Sequence, residues 1–160
     1  MAALNRAFGL TLPPEEAQYL ELYLSAYLGA EDPWGSAQEM ELRNLEAALI
    51  REMEKALHTD LSGYTSLRDD LYCHLRPMLL RVEQNIRTEN PQLDTIRTDY
   101  PGLWKATRAA CDAVQQQFVL PAISDDEAAY LAMHFGAVLE QNAMFRLRLR
   151  VVVACPLGMG

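Results

Sequence analysis

Asp126-Glu-Ala-Ala-Tyr-Leu-Ala-Met-His-Phe-Gly-Ala-Val-Leu139 places apolar residues at helical intervals with one histidine among them. Ahead of it, Ser124-Asp-Asp-Glu127 is an S-x-x-E capping box, which starts a helix by giving hydrogen-bond partners to its first backbone N–H groups. His134 lies four residues after Tyr130 and four before Val138, on the apolar face of that helix. The pattern occurs twice. Glu15-Glu-Ala-Gln-Tyr-Leu-Glu-Leu-Tyr-Leu-Ser-Ala-Tyr-Leu28 matches it at an offset of 111 residues, with six identities over the thirteen positions from Glu16 to Leu28. Tyr23 stands where the second copy has His134. A repeat at this spacing predicts the tail of one unit, one whole unit, and the start of whatever follows, within a longer protein.

Outward from that stretch the chain reads as helices. Ser36-Ala-Gln-Glu39 is another capping box and opens a helix to about residue 58, with Leu42, Leu45, Leu49, Met53 and Leu57 on one stripe. Ser62-Gly63 breaks the chain. Ser66 is a cap for a second helix, predicted to run to about Glu89, with Leu67, Leu71, His74, Leu75, Met78 and Val82 on one face. Asn90-Pro91 interrupts, because proline disfavours helical geometry in the residue before it. A short helix from Leu93 to Thr98 and a longer one over about 102–119 complete the set. The fold class is therefore all-α, a bundle of about five helices over residues 36–141. Only Arg146-Leu-Arg-Leu-Arg150 and Val151-Val-Val-Ala154 depart from it, reading as the first strand of an α/β domain before Cys155-Pro-Leu-Gly-Met-Gly160.

Composition narrows the function. A net charge of −8 speaks against this segment gripping a phosphate backbone, which needs a basic face. No apolar run is long enough to span a bilayer. Three widely spaced cysteines form neither a disulfide framework nor a zinc pattern, which points to the cytoplasm. No metal or cofactor is expected: Cys73 and His74 diverge by about 100° on a helix, and His58 has no partner at helical spacing.

His74 and His134 admit two readings. Each is a core histidine satisfied by one hydrogen bond, or the two meet across a helix contact as phosphorylatable nucleophiles. The second reading needs cations for the charge gained, and Arg76, Arg81 and Arg87 are available, with Arg81 two turns on from His74 and nearly in register. Cys155 is likewise either a buried strand-end residue or a thiolate activated by backbone N–H groups of the following turn.

Leu71-Tyr-Cys-His-Leu-Arg-Pro-Met-Leu-Leu-Arg81, Asn90-Pro91, Ile96 through Tyr100-Pro101, and Asp126-Glu127 through His134-Phe-Gly-Ala137 together resemble a PTS regulation domain, over about residues 60–141. The resemblance implies three segments. Residues 1–30 are similar to the tail of a preceding regulation domain, 34–142 to a complete one, and 146–160 to the start of an enzyme IIB-like domain. It also implies phosphorylation at His74 and His134 by the phosphocarrier HPr or by sugar-specific enzyme IIA and IIB components, and a phosphocysteine at Cys155. Arg81 and Asn90 then support the site or pair with phosphate. The function implied is a non-enzymatic regulator of sugar-uptake genes, dimerising and reaching nucleic acid only through a separate N-terminal module. The alternatives are a phosphotransfer component of the IIB type, the regulatory domain of a transcription antiterminator, and a purely structural helical dimerisation module.

Overall fold

The computed structural model describes residues 36–146 and, ahead of them, Gly9 and Leu20 alone. Residues 36–146 form five helices: α1 (Ser36–Leu57), α2 (Thr65–Glu83), α3 (Leu93–Asp99), α4 (Pro101–Phe118) and α5 (Asp125–Arg146), with no strand among the described residues. The all-helical expectation for 36–141 is met. The strand expected at 147–154 and the repeat tail at 15–28 lie outside the described residues, Leu20 excepted.

Four helices close a square. α1 packs on α2 and α4, α5 packs on α2 and α4, and the short α3 lies across α4 and α5. Each side contributes one stripe at i, i+3, i+4, i+7 spacing, which is what puts the residues of a helical face on a common core. Leu42, Leu45, Leu49 and Met53 come from α1, and Leu67, Leu71, Leu75 and Met78 from α2. Ala106, Ala110, Cys111 and Val114 come from α4, and Ala128, Leu131, Phe135 and Val138 from α5.

Helix α5 is buried on a second side as well. Ala129 and Ala132 are fully enclosed and pack on Ile96 of α3, small residues that let the short helix approach closely. Gly136 serves the same purpose toward α4, since a Cβ there would lie 3.2 Å from Leu103 Cδ2. The third side of α5 carries Glu127, Tyr130 and His134, spaced three and four residues apart.

The start of α5 is anchored from several elements at once. Ser124 Oγ accepts from the Glu127 N–H at 3.2 Å, so the hydroxyl half of the capping box forms as the sequence announces. Its three acidic residues then reach three different elements. Asp125 pairs with Arg97 of α3, Asp126 Oδ1 accepts from the Asn90 N–H at 2.8 Å, and Glu127 pairs with Arg81 of α2. From α4, Arg108 Nη1 donates to the Ile123 carbonyl at 3.0 Å.

Helix α2 ends earlier than its sequence suggests. It begins at Thr65 after Tyr64, with no side-chain cap, and Ser66 lies inside it rather than capping it. It stops at Glu83 instead of continuing to about 89. Asn85 adopts a left-handed φ of 53°. The Ile86 N–H returns to the Arg81 carbonyl at 2.8 Å and the Asn85 N–H to Val82 at 3.2 Å. These two bonds form a Schellman stop with asparagine in the position usually held by glycine. The segment after it folds back toward α5 instead of lengthening α2. Asn85→Ala is expected to destabilise the chain by about 1–2 kcal/mol, because alanine lacks asparagine's tolerance of left-handed backbone. Asn85→Gly is expected to be neutral or slightly stabilising. Urea unfolding of both variants measures the difference.

Candidate functional site

The seam between α2 and α5 holds the two histidines. Their ring centroids are 5.0 Å apart with planes inclined at 54°. Tyr130, one turn before His134, brings its ring to 5.9 Å from that of His74. Its hydroxyl donates to the Glu89 carbonyl at 2.9 Å, tying the post-α2 loop to α5. The two imidazoles that share apolar faces in the sequence thus face each other in the structure.

Below them sits a buried ion pair. Arg81 Nε donates to Glu127 Oε1 at 2.6 Å and Nη2 to Oε2 at 2.9 Å, a two-point contact between planar groups. Both side chains are almost wholly removed from water, at 5% and 3% exposed. The same Oε2 lies 4.0 Å from His74 Nε2. That nitrogen is buried and makes no hydrogen bond among the described residues.

Both histidines are held neutral. Burial drives the His74 pKa down from 6.5 to about 3, with the neighbouring His134 and the Arg81 guanidinium acting in the same direction. The nearby Glu127 carboxylate does not reverse this, because its charge is already neutralised by Arg81. The His134 pKa is lowered by burial, against an opposing pull from the Asp70 carboxylate. A neutral imidazole keeps the lone pair that a nucleophile needs.

Of the arginines considered in the sequence, Arg81 is at the site, and its guanidinium is engaged by Glu127. Arg87 is exposed and lines, with Arg81, Asn85, Ser124, Asp126 and Glu127, a pocket of about 440 Å³ beside the ion pair. Asn90 is buried at the edge of the site. Its N–H donates to Asp126, its Oδ1 accepts from the Gln92 N–H at 2.8 Å, and its amide meets Met133 Sδ at 3.7 Å. Asn90 thus pins the loop to the first turns of α5. Cys155 lies outside the described residues. Among the described residues no three histidine, cysteine or carboxylate side chains gather as a metal site would require.

Sequence reasoning missed Glu127 and Tyr130 as site residues. In the sequence Glu127 reads as the end of a capping box and Tyr130 only as a marker of the helix face that carries His134. Their spacing of seven and four residues before His134 was the available signal, since it puts all three on one side of the helix.

The seam between α2 and α5 thus gathers two imidazoles, the Tyr130 ring and a buried two-point ion pair on an all-helical square. Comparison with known proteins identifies the family: the PRD domain matches residues 47–138, and the chain belongs to that family. It is 29% identical over 163 residues to the transcriptional regulator ManR of Bacillus subtilis (strain 168), covering 98% of this chain and 24% of that protein. It is 26% identical over 166 residues to the probable licABCH operon regulator of the same organism, covering 98% of this chain and 25% of that protein. It is 29% identical over 133 residues to the stationary phase-inducible protein CsiE of Escherichia coli (strain K12), covering 82% and 31%. The chain thus spans about a quarter to a third of the curated relatives it matches. No solved structure matches it.

The neutral histidines give a signed pH dependence. The folded His74 pKa of about 3 lies below the unfolded value of about 6.5, so between those values the unfolded chain binds more protons at this residue than the folded one, and the lowered His134 acts in the same direction. The contribution is complete above pH 6.5 and is lost as pH falls, at up to about 1.4 kcal/mol per unit for His74, while the more exposed His134 adds a smaller loss of the same sign. Urea unfolding at pH 7.5, 6.0 and 5.0 should show stability declining over this interval. His74→Asn should make the decline shallower; an unaltered slope in that variant would contradict the assignment.

Proposed function

We propose that this PRD senses sugar availability through phosphorylation at His74 and His134 and passes the signal within a larger transcription regulator. The observation that carries the reading is the pair of neutral imidazoles 5.0 Å apart at the α2–α5 seam, beside the buried Arg81. The donors fitting this reading are HPr and sugar-specific enzyme IIA or IIB components. The names of the longer relatives support a regulatory role, and their alignment over 98% of the chain supports placing its flanking segments among further domains of such a regulator. Cys155 enters the same proposal as the phosphocysteine of an enzyme IIB-like loop.

In the transfer, an imidazole lone pair attacks the phosphorus of the donor's phosphohistidine or phosphocysteine. An N–P bond forms, and the bond from phosphorus to the donor nitrogen or sulfur breaks, its electron pair leaving with the donor. The phosphate brings about −1.5 to −2 charges and three acceptor oxygens, by analogy with other phospho-residues. Such a charge is not tolerated on a partly buried seam unless a cation pairs with it, so Arg81 is its nearest natural partner and Asn90 holds the adjoining loop in place. His74 Nε2 is buried, which couples its modification to an opening of the contact between α2 and α5. The output is a change in how helices or a second copy of the chain pack. A coupling of about 1–3 kcal/mol shifts such a balance about 5–150-fold.

Incubating the chain with enzyme I, HPr and phosphoenolpyruvate should place acid-labile phosphate on His74 and His134, read by mass spectrometry at alkaline pH. Alanine at either position should remove that site's label and leave the helical signal intact. Aspartate at either position should move the monomer–dimer balance, seen by analytical ultracentrifugation, in the direction phosphorylation moves it. Absence of label at both, with no shift for aspartate, would leave the structural dimerisation module as the better reading.

A further inference from the structure

We propose that Glu127 is the movable element of the histidine site: a phosphate on His74 takes the Arg81 guanidinium away from it, and the released carboxylate folds back to complete the capping box of α5. The proposal rests on the phosphorylation of His74 set out above and identifies what that phosphate displaces.

Three observations lead to it. Glu127 Oε2 is shared between Arg81 Nη2, at 2.9 Å, and the neighbourhood of His74 Nε2, at 4.0 Å. A phosphorus atom and its oxygens bonded to Nε2 do not fit in a gap of that length beside a carboxylate, and both groups are anionic. One must yield. A phosphate presents planar arginine with the same two-point arrangement as a carboxylate and with more charge, so it competes directly for the guanidinium.

The second observation is that Glu127 has somewhere to go. In an S-x-x-E box the glutamate normally reaches back to the backbone N–H of the capping serine. Here the Ser124 hydroxyl performs its half, accepting from the Glu127 N–H at 3.2 Å, while the Glu127 side chain is held by Arg81. Two arrangements of the same side chain are therefore built into one turn: a tertiary bond to α2, observed, and a local bond to Ser124, encoded in the sequence.

The third is that the remaining anchors of α5 do not depend on Glu127. Asp125 with Arg97, and Asp126 with the Asn90 N–H, hold the helix start to α3 and the loop. Moving Glu127 thus loosens α5 from α2 alone. The exchange involves no bond making beyond the phosphorylation itself: one guanidinium changes anions and one carboxylate changes donors.

The test combines a mutant cycle with a labelling experiment, both on the full chain. In the cycle, His74→Glu supplies a carboxylate as a fixed stand-in for phosphate, and Glu127→Gln supplies a side chain that still caps but no longer repels. Each single variant should lower the urea midpoint, and the double variant should unfold at a higher midpoint than either. If a single variant does not fold, folding of the double variant shows the same rescue. Additive losses, or a double variant that also fails to fold, would overturn the exchange whatever happens to phosphate.

For labelling, the chain is treated with phosphoramidate, a small phosphoryl donor, and analysed by NMR and mass spectrometry. Glu127→Gln should raise the equilibrium labelled fraction at His74 about tenfold at limiting donor. In the wild-type chain, hydrogen exchange of the Ser124 amide should slow about tenfold on phosphorylation as the carboxylate arrives. Label on His74 with equal yield in both proteins and an unchanged Ser124 amide would refute the exchange while sparing the phosphorylation reading. Label on neither protein would refute the phosphorylation reading, and the mutant cycle alone would then decide whether position 74 and Glu127 compete for Arg81.

Discussion

The placement of α5 against α2 depends on one desolvated contact, the two-point bond between Arg81 and Glu127. Each group alone would be an uncompensated buried charge, and breaking such a pair by removing one partner typically costs about 3–5 kcal/mol. The pair fixes where α5 begins relative to α2 and so sets the approach of His134 to His74. It also shapes the electrostatics there. A lone glutamate 4.0 Å from His74 would favour the imidazolium, whereas one neutralised by arginine lets burial win and keeps the ring neutral. Stability, geometry and the neutral state of His74 at this seam have a common origin.

Anchoring at the start of α5 has a parallel at α1. Both helices open with an S-x-x-E sequence, and in both the glutamate serves a neighbouring helix. Glu39 accepts from the Tyr72 hydroxyl at 2.9 Å, and Glu127 accepts from Arg81. Local capping and tertiary bonding compete for the same carboxylate, and in the folded chain the tertiary partner holds it.

That competition also explains which features were legible in the sequence. The α5 start at 125, the apolar stripes of α1, α2 and α5 and the all-helical character follow from the Ser124 hydroxyl cap and 3.6-residue periodicity, which act within a turn or two. The end of α2 did not follow, because asparagine in left-handed backbone is a minority use of that residue and only the returning Ile86 N–H reveals it. The histidines could be placed on apolar faces, but their meeting rested on family resemblance, since no periodicity states which faces oppose. Arg81 was found by register with His74. Its partner was not, for a buried ion pair joins positions 46 residues apart and leaves no local trace.

The corner between α1 and α2 is built differently. Glu46 is fully enclosed and accepts from Arg43 of its own helix at 3.1 Å and Arg68 of α2 at 2.9 Å, while both arginines remain about half in water. Arg43 in turn stacks 3.7 Å over the Tyr72 ring. In mechanical terms the square has a welded corner at α1–α2 and a latched one at α2–α5. The first corner joins its helices through one buried carboxylate shared by two half-exposed arginines, the second through one wholly buried pair beside the imidazoles.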